Sequence, residues 1–148
     1  MALHKDFPSS PYAILDPTVR WLPGDGAASP EKLLPPLVAQ LRRKVKEFRD
    51  SGYVGASATS KSLLTWWFDT PHLLSQGGGA DAEFQYYFAQ REAVETIIYL
   101  HDVVGVQDKY DLMRFDGSGA VATGMFDETW RRFVIKMATG TGKTKVMS

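Results

Sequence analysis

Near its C-terminal end the chain reads Lys136-Met137-Ala138-Thr139-Gly140-Thr141-Gly142-Lys143-Thr144. The run before it, Phe133-Val134-Ile135-Lys136-Met137, is short, apolar and β-branched, and predicts a buried strand. A strand, a glycine-spaced loop, Gly-Lys-Thr and a helix start follow one another in an order that suits a polyphosphate. Gly140 and Gly142 lack a Cβ, so the backbone can curl and bring its N–H groups close to phosphate oxygens. A helix beginning near Lys143 would turn its positive end toward the same oxygens. Lys143 would set its ammonium on the β- and γ-phosphates, and the Thr144 hydroxyl would bind a bridging magnesium ion. Met137 stands where the full pattern has its first glycine. The core Gly-x-Gly-Lys-Thr arises by chance roughly once in several hundred chains of this length.

Other chemistry finds little support. His4, His72 and His101 are far apart and show no ligand spacing. Asp127 and Glu128 are adjacent, so on a helix they point apart rather than forming a carboxylate pair. No serine has a Gly-x-Ser-x-Gly setting. The absence of cysteine excludes disulfides, zinc fingers, iron–sulfur clusters and thiol nucleophiles. Lys+Arg and Asp+Glu are both 17, which speaks against a strongly basic nucleic-acid binder but leaves room for a local basic groove. With 148 residues and 44% hydrophobic composition the chain can bury one core. Its apolar runs fall far short of the roughly 20 residues that span a bilayer, and no signal-peptide stretch opens it. A soluble, cytoplasmic protein without a membrane role is expected.

The elements that must carry the loop can be read from pattern. All eight prolines lie between Pro8 and Pro71. Residues 1–30 read as extended chain and turns, with Pro23-Gly24-Asp25-Gly26 the clearest turn. Leu37, Leu41, Val45 and Phe48 form one stripe of a helix over about 35–51, begun by Pro35 and Pro36 and ended by Gly52. Arg42, Arg43, Lys46 and Arg49 on its other side read as a solvated face, with phosphate contact the alternative. Residues 60–68 predict a short helix with a serine cap. Its Trp66 and Trp67 read as core anchors rather than base-stacking platforms. A second long helix is expected over about 83–104, capped by Asp81, apolar through Phe84, Phe88, Val94, Ile97, Ile98 and His101, and ended by Gly105. His101 reads as a packed or rim histidine. Asp116-Gly117-Ser118-Gly119 predicts a turn, and 126–132 the start of a short helix. The triple glycine in residues 76–81 reads as a linker between a leader, 1–75, and a second unit, 82–148.

Met137-Ala138-Thr139-Gly140-Thr141-Gly142-Lys143-Thr144 resembles motif I of superfamily-two helicases and translocases, which commonly lack the first glycine. The likeness is greatest to the DEAD/DEAH-box-like motor of type III restriction enzymes, the Res subunit. Phe88-Ala89-Gln90-Arg91-Glu92-Ala93-Val94-Glu95-Thr96 strengthens it, being similar to the family's upstream Q-x-x-A segment. The Pro- and Trp-rich first half, with Arg20-Trp21-Leu22-Pro23 and Trp66-Trp67-Phe68, also resembles the leader of some such subunits, without a function attached.

This resemblance implies an α/β fold in which a mostly helical leader precedes the start of a RecA-like P-loop domain with an incomplete parallel sheet. It implies ATP and Mg2+ as cofactors. Thr139, Gly140, Thr141, Gly142, Lys143 and Thr144 would bind them, Lys143 and Thr144 would be catalytic, and Thr144 would hold the metal. Gln90 would read the adenine edge, with Arg91 a neighbour. DNA would be the partner of the full-length protein, together with a DNA methyltransferase subunit. The DExx motif, later coupling motifs and the second RecA-like domain would lie past Ser148, so the chain reads as an ATP-binding N-terminal piece of a DNA translocase, inactive alone. Without flanking strands the last ten residues are expected to be weakly anchored. The alternative is a non-catalytic DNA- or protein-interaction module with a vestigial phosphate loop. An unrelated phosphate-loop kinase is disfavoured by the Gln90 segment and by Met137.

Overall fold

The computed structural model describes residues 10–14, 38–75, 79–115, 133–135, 137 and 140–147. The turns expected at 23–26 and 116–119, the helix start at 126–132, Asp127, Glu128, His4 and Thr139 lie outside the described residues. The first helix among the described residues, α1, is Val38–Asp50, as the stripe of Leu41, Val45 and Phe48 requires. Val45 and Phe48 are buried. Beyond α1 the chain turns through Gly52 at φ +70° and Tyr53 at φ +62°. A left-handed tyrosine costs about 1–2 kcal/mol. Burial of its ring edge-on to Phe48, with centroids 5.2 Å apart, offsets that cost.

Helix α2, Ala58–Asp69, is capped by Ser57, whose hydroxyl accepts the Ser60 N–H. Leu64 is its buried residue and completes a core with Phe48 and Tyr53. The indoles do not serve as core anchors, because Leu64 takes the inward position. Trp66 is 54% exposed, with its ring edge-on to His72 at 4.6 Å. Strands β1, His72–Leu74, and β2, Ala82–Phe84, pair antiparallel with Leu73 opposite Glu83. The glycine-rich stretch therefore joins two strands that pair with each other. Two strands of three residues bury little by themselves and depend on the helices beside them.

Helix α3, Phe88–Ile98, begins later than Asp81 because residues 82–84 are drawn into the strand pair. Its first N–H group is met from elsewhere in the chain, helix starts leaving such donors without an intrahelical partner. Phe88 N donates to Pro11 O at 2.9 Å, and Tyr12 packs on Tyr87 with ring centroids 5.3 Å apart. The helix continues as a π-helical segment, Tyr99–Val104, that ends where Gly105 turns left-handed at φ +65°. Leu100, Val106 and Phe115 form a second buried cluster, with Leu112 of the short helix α4, Lys109–Met113, against it.

The chain is thus mixed helix and sheet, and among the described residues the sheet is the antiparallel pair. Phe133, Val134 and Ile135 lie in no strand and are exposed, Val134 at 79%. Burial of that run would need strands on either side of it. No helix among the described residues is long and apolar enough to cross a membrane. Last comes α5, Lys143–Met147.

Asp102 of the π-helical segment ties that segment to the start of α2. Its Oδ2 accepts the Ser57 N–H at 3.0 Å, and its Oδ1 meets His101 Nδ1 at 2.9 Å. The Ser60 hydroxyl first, then His101 and the Ser57 N–H, hold its carboxyl well below the usual carboxylate range. A depressed carboxylate stabilises the fold above its ordinary pKa and loses that contribution as pH falls through its folded value. Asp102→Asn is therefore expected to flatten the loss of stability below about pH 4, read as urea midpoints against pH. An unchanged slope would show that the cap carries no linkage.

Candidate nucleotide site

Two stretches 52 residues apart in sequence meet at the start of α5: Gln90 Nε2 donates to Gly142 O at 3.0 Å. Gln90 sits in the first turn of α3 and is 5% exposed. Its Oε1 accepts the Tyr87 N–H at 2.8 Å, one half of a capping box. The amide therefore bridges the backbone at 87 and the backbone at 142. Gly140 and Gly142 take φ of +83° and +71°, which L side chains resist. A Cβ at Gly142 would also fall 2.3 Å from Gln90 Nε2. Conformation is what favours glycine there, and a Cβ would in addition push the Gln90 amide off the Gly142 carbonyl.

Lys143 Nζ donates to Met137 O at 3.1 Å and ties the end of the loop to its beginning. Lys145 N donates to Gly142 O at 3.0 Å, closing the first turn of α5. The Lys145 ammonium lies 5.5 Å from the Phe84 ring centroid and 5.9 Å from that of Tyr86, within cation–π reach. The segment expected to be weakly anchored thus has attachments at Gln90, at Met137 and at the β2 end. Lys143 and Thr144 are exposed at the head of α5, and Thr141 is half-buried.

A second site of charge lies on another face of α3. Glu95 is 0% exposed, yet it stands on the face read from sequence as apolar. Arg49 Nε donates to Glu95 Oε2 at 2.8 Å, Arg91 Nε to Oε1 at 2.8 Å and Tyr53 OH to Oε1 at 2.9 Å. Arg91 Nη2 also donates to Tyr53 OH at 2.8 Å and to Asp69 Oδ1 at 3.1 Å. Burial first, then the charge of Glu95, pushes the Tyr53 phenol up. Burial opposes the charge on Arg91, but the bonds to Glu95 and Tyr53 outweigh it and its pKa is raised. Arg42 similarly meets Glu92, Nε to Oε1 at 2.9 Å. The basic side of α1 is therefore not simply a solvated face: Arg42 and Arg49 turn inward to acids of α3. A signal existed, since Arg42 and Arg49 are seven apart and Glu92 and Glu95 three apart, each spacing keeping its pair on one side of its helix.

Arg91 and Phe88 also wall a cleft of about 180 Å³ with Trp67, Phe68, Phe84 and Tyr86. The Arg91 guanidinium is 5.1 Å from the Phe68 ring centroid. Sequence reasoning singled out Arg91 but not this aromatic enclosure. Gln90 and Arg91 are neighbours in sequence that serve different places: Gln90 faces the glycine loop, and Arg91 faces Glu95 and the cleft. His101 is exposed rather than packed, held by Asp102.

No family model, curated protein or solved structure matches the chain. The loop offers two left-handed glycines, a lysine and a threonine side by side. A triphosphate fits this donor set: glycine leaves room for close approach, an ammonium supplies charge, and a hydroxyl can complete a magnesium shell built mostly from phosphate oxygens and water. Helix α5 is too short for its dipole to add much. The lysine and the loop amides are the stronger elements.

Proposed function

We propose that this chain carries the triphosphate-gripping part of a superfamily-two helicase-like DNA translocase, of the kind found in type III restriction enzymes. The observation that supports the reading is the Gln90–Gly142 contact. The Q-x-x-A segment and the Gly-Thr-Gly-Lys-Thr segment each resemble a family motif, and nothing in their sequence spacing requires them to touch. ATP with Mg2+ would be held by the amides of residues 139–142, by Lys143 and by Thr144, the last through its hydroxyl on the metal. Bound nucleotide supplies a phosphoanhydride whose hydrolysis, in a complete motor, is coupled to movement along DNA. The residues present grip and orient the phosphates. Contacts of such a motor with DNA would be largely to the backbone and indifferent to sequence. Association with a DNA methyltransferase subunit belongs to the same proposal.

Titration of the chain with Mg-ATP, followed by NMR, tests the reading. Weak, saturable binding that shifts residues 140–147 and Gln90 is expected, because few contacts must also order the loop. The absence of any shift at those residues up to millimolar nucleotide would remove the proposal.

A second reading, an interaction module with a vestigial phosphate loop, is favoured by one observation. Leu63, Trp66, Leu73 and Leu74 are exposed on α2 and β1. DNA or protein binding that survives Lys143→Ala and ignores nucleotide would support it over the first.

A further inference from the structure

Gln90 is the residue whose family likeness and geometry point in different directions. A glutamine that reads a base must present its carbonyl oxygen and its amide nitrogen together along one open edge. Here the residue is 5% exposed. Its oxygen is engaged by the Tyr87 N–H at 2.8 Å and its nitrogen by Gly142 O at 3.0 Å. Those partners are backbone groups on two different elements, so the amide spans the gap between α3 and the loop. Both engagements have structural reasons. The Tyr87 N–H precedes the helix and has no backbone partner within it, and even a half-buried donor left unpaired is costly. Gly142 O receives Gln90 Nε2 and Lys145 N together, so the same carbonyl that starts α5 is pinned to α3.

We propose that Gln90 is a positioning residue: it latches the phosphate loop to α3 through Gly142 O and sets its grip on any triphosphate, whatever base follows. This inference rests on the loop being a triphosphate site and concerns how that site is held. A loop fixed before the ligand arrives spares the ligand the cost of ordering it. That saving is the same for ATP, for GTP and for inorganic tripolyphosphate, because both ends of the latch are taken by the chain's own backbone and neither by a base.

The test compares Mg-ATP, Mg-GTP and Mg-tripolyphosphate as probes on the chain and on Gln90→Ala, with dissociation constants from NMR titration. The expected result is a rise of about tenfold for all three probes alike, the loss of one intramolecular hydrogen bond, with the ATP-to-GTP ratio unchanged. A loss confined to ATP, with tripolyphosphate binding intact, would overturn the latch and restore base reading. No loss with any probe would overturn it as well. Gly142→Ala supplies a second arm, since its Cβ would fall 2.3 Å from Gln90 Nε2 and part the latch from the loop side. Affinity for tripolyphosphate in the double variant should fall by less than the product of the two single losses, because both remove one contact. Independent, multiplying losses would mean that Gln90 merely supports its helix, and would sink the proposal. A chain that binds none of the three probes before substitution would overturn the triphosphate reading itself, and the latch with it.

Discussion

Glu95→Ala is expected to unfold much of the helical assembly. The substitution leaves Arg49 and Arg91 facing each other across a space that their shared carboxylate had filled, and it strips the Tyr53 hydroxyl of its acceptor. Breaking a buried pair by removing one partner costs about 3–5 kcal/mol, because the remaining charge stays buried without compensation. Native chains are stable by only about 5–15 kcal/mol in total, so the loss is a large fraction of what holds α1 to α3. Glu95→Gln should cost less, since its carbonyl can still accept from Tyr53 or Arg91. Arg42→Ala supplies the contrast: its ion pair with Glu92 is nearer the surface, and its loss should cost at most about 1 kcal/mol beyond lost packing. Urea denaturation of the three variants ranks them. Equal midpoints for Glu95→Ala and Arg42→Ala would show that the buried network contributes nothing particular.

Lys143→Ala is expected to have the second large effect, on ligand rather than on fold. Lys143 is exposed at the head of α5, so its removal leaves the core untouched. Its ammonium is the one group in the loop able to place a full positive charge on a terminal phosphate. A hydrogen bond to a charged partner contributes up to about 3 kcal/mol, so Mg-ATP binding should weaken by about a hundredfold. In the translocase proposed above the same change should abolish turnover, several kcal/mol of transition-state stabilisation being lost, while DNA affinity stays mostly intact. Circular dichroism should show an unaltered helix content. Undiminished binding or hydrolysis in the variant would refute the assignment of the loop.

What was legible in the sequence divides along physical lines. The α1 stripe could be read because Leu41, Val45 and Phe48 repeat at the helical period and bury one face. The left-handed end at Gly105 could be read because glycine there has a conformational cause. The glycine loop could be read because its chemistry needs those residue types in that order. Strand β2 could not: Ala82-Glu83-Phe84 is too short to show a period, and its pairing with residues 72–74 displaced the start of α3 to Phe88. Glu95 could not, because a single acid among apolar residues carries no local sign of burial. Its partner Arg49 lies 46 residues away. Trp66 and the run at 133–135 misled for the same reason: large apolar side chains announce a wish for burial but not whether a neighbour is there to provide it. Gln90 sits between these cases. A family likeness singled it out, but only geometry shows which atoms its amide engages.

The carbonyl of Gly142 has one further consequence. A trans peptide holds its C=O and its N–H pointing in opposite directions. With the oxygen turned toward α3 and engaged by two donors, the peptide between Gly142 and Lys143 cannot flip without breaking both bonds. The amide hydrogen of Lys143 is thereby aimed away from α3. The orientation of one peptide plane, held by a side chain of another helix, fixes which way the Lys143 N–H is offered.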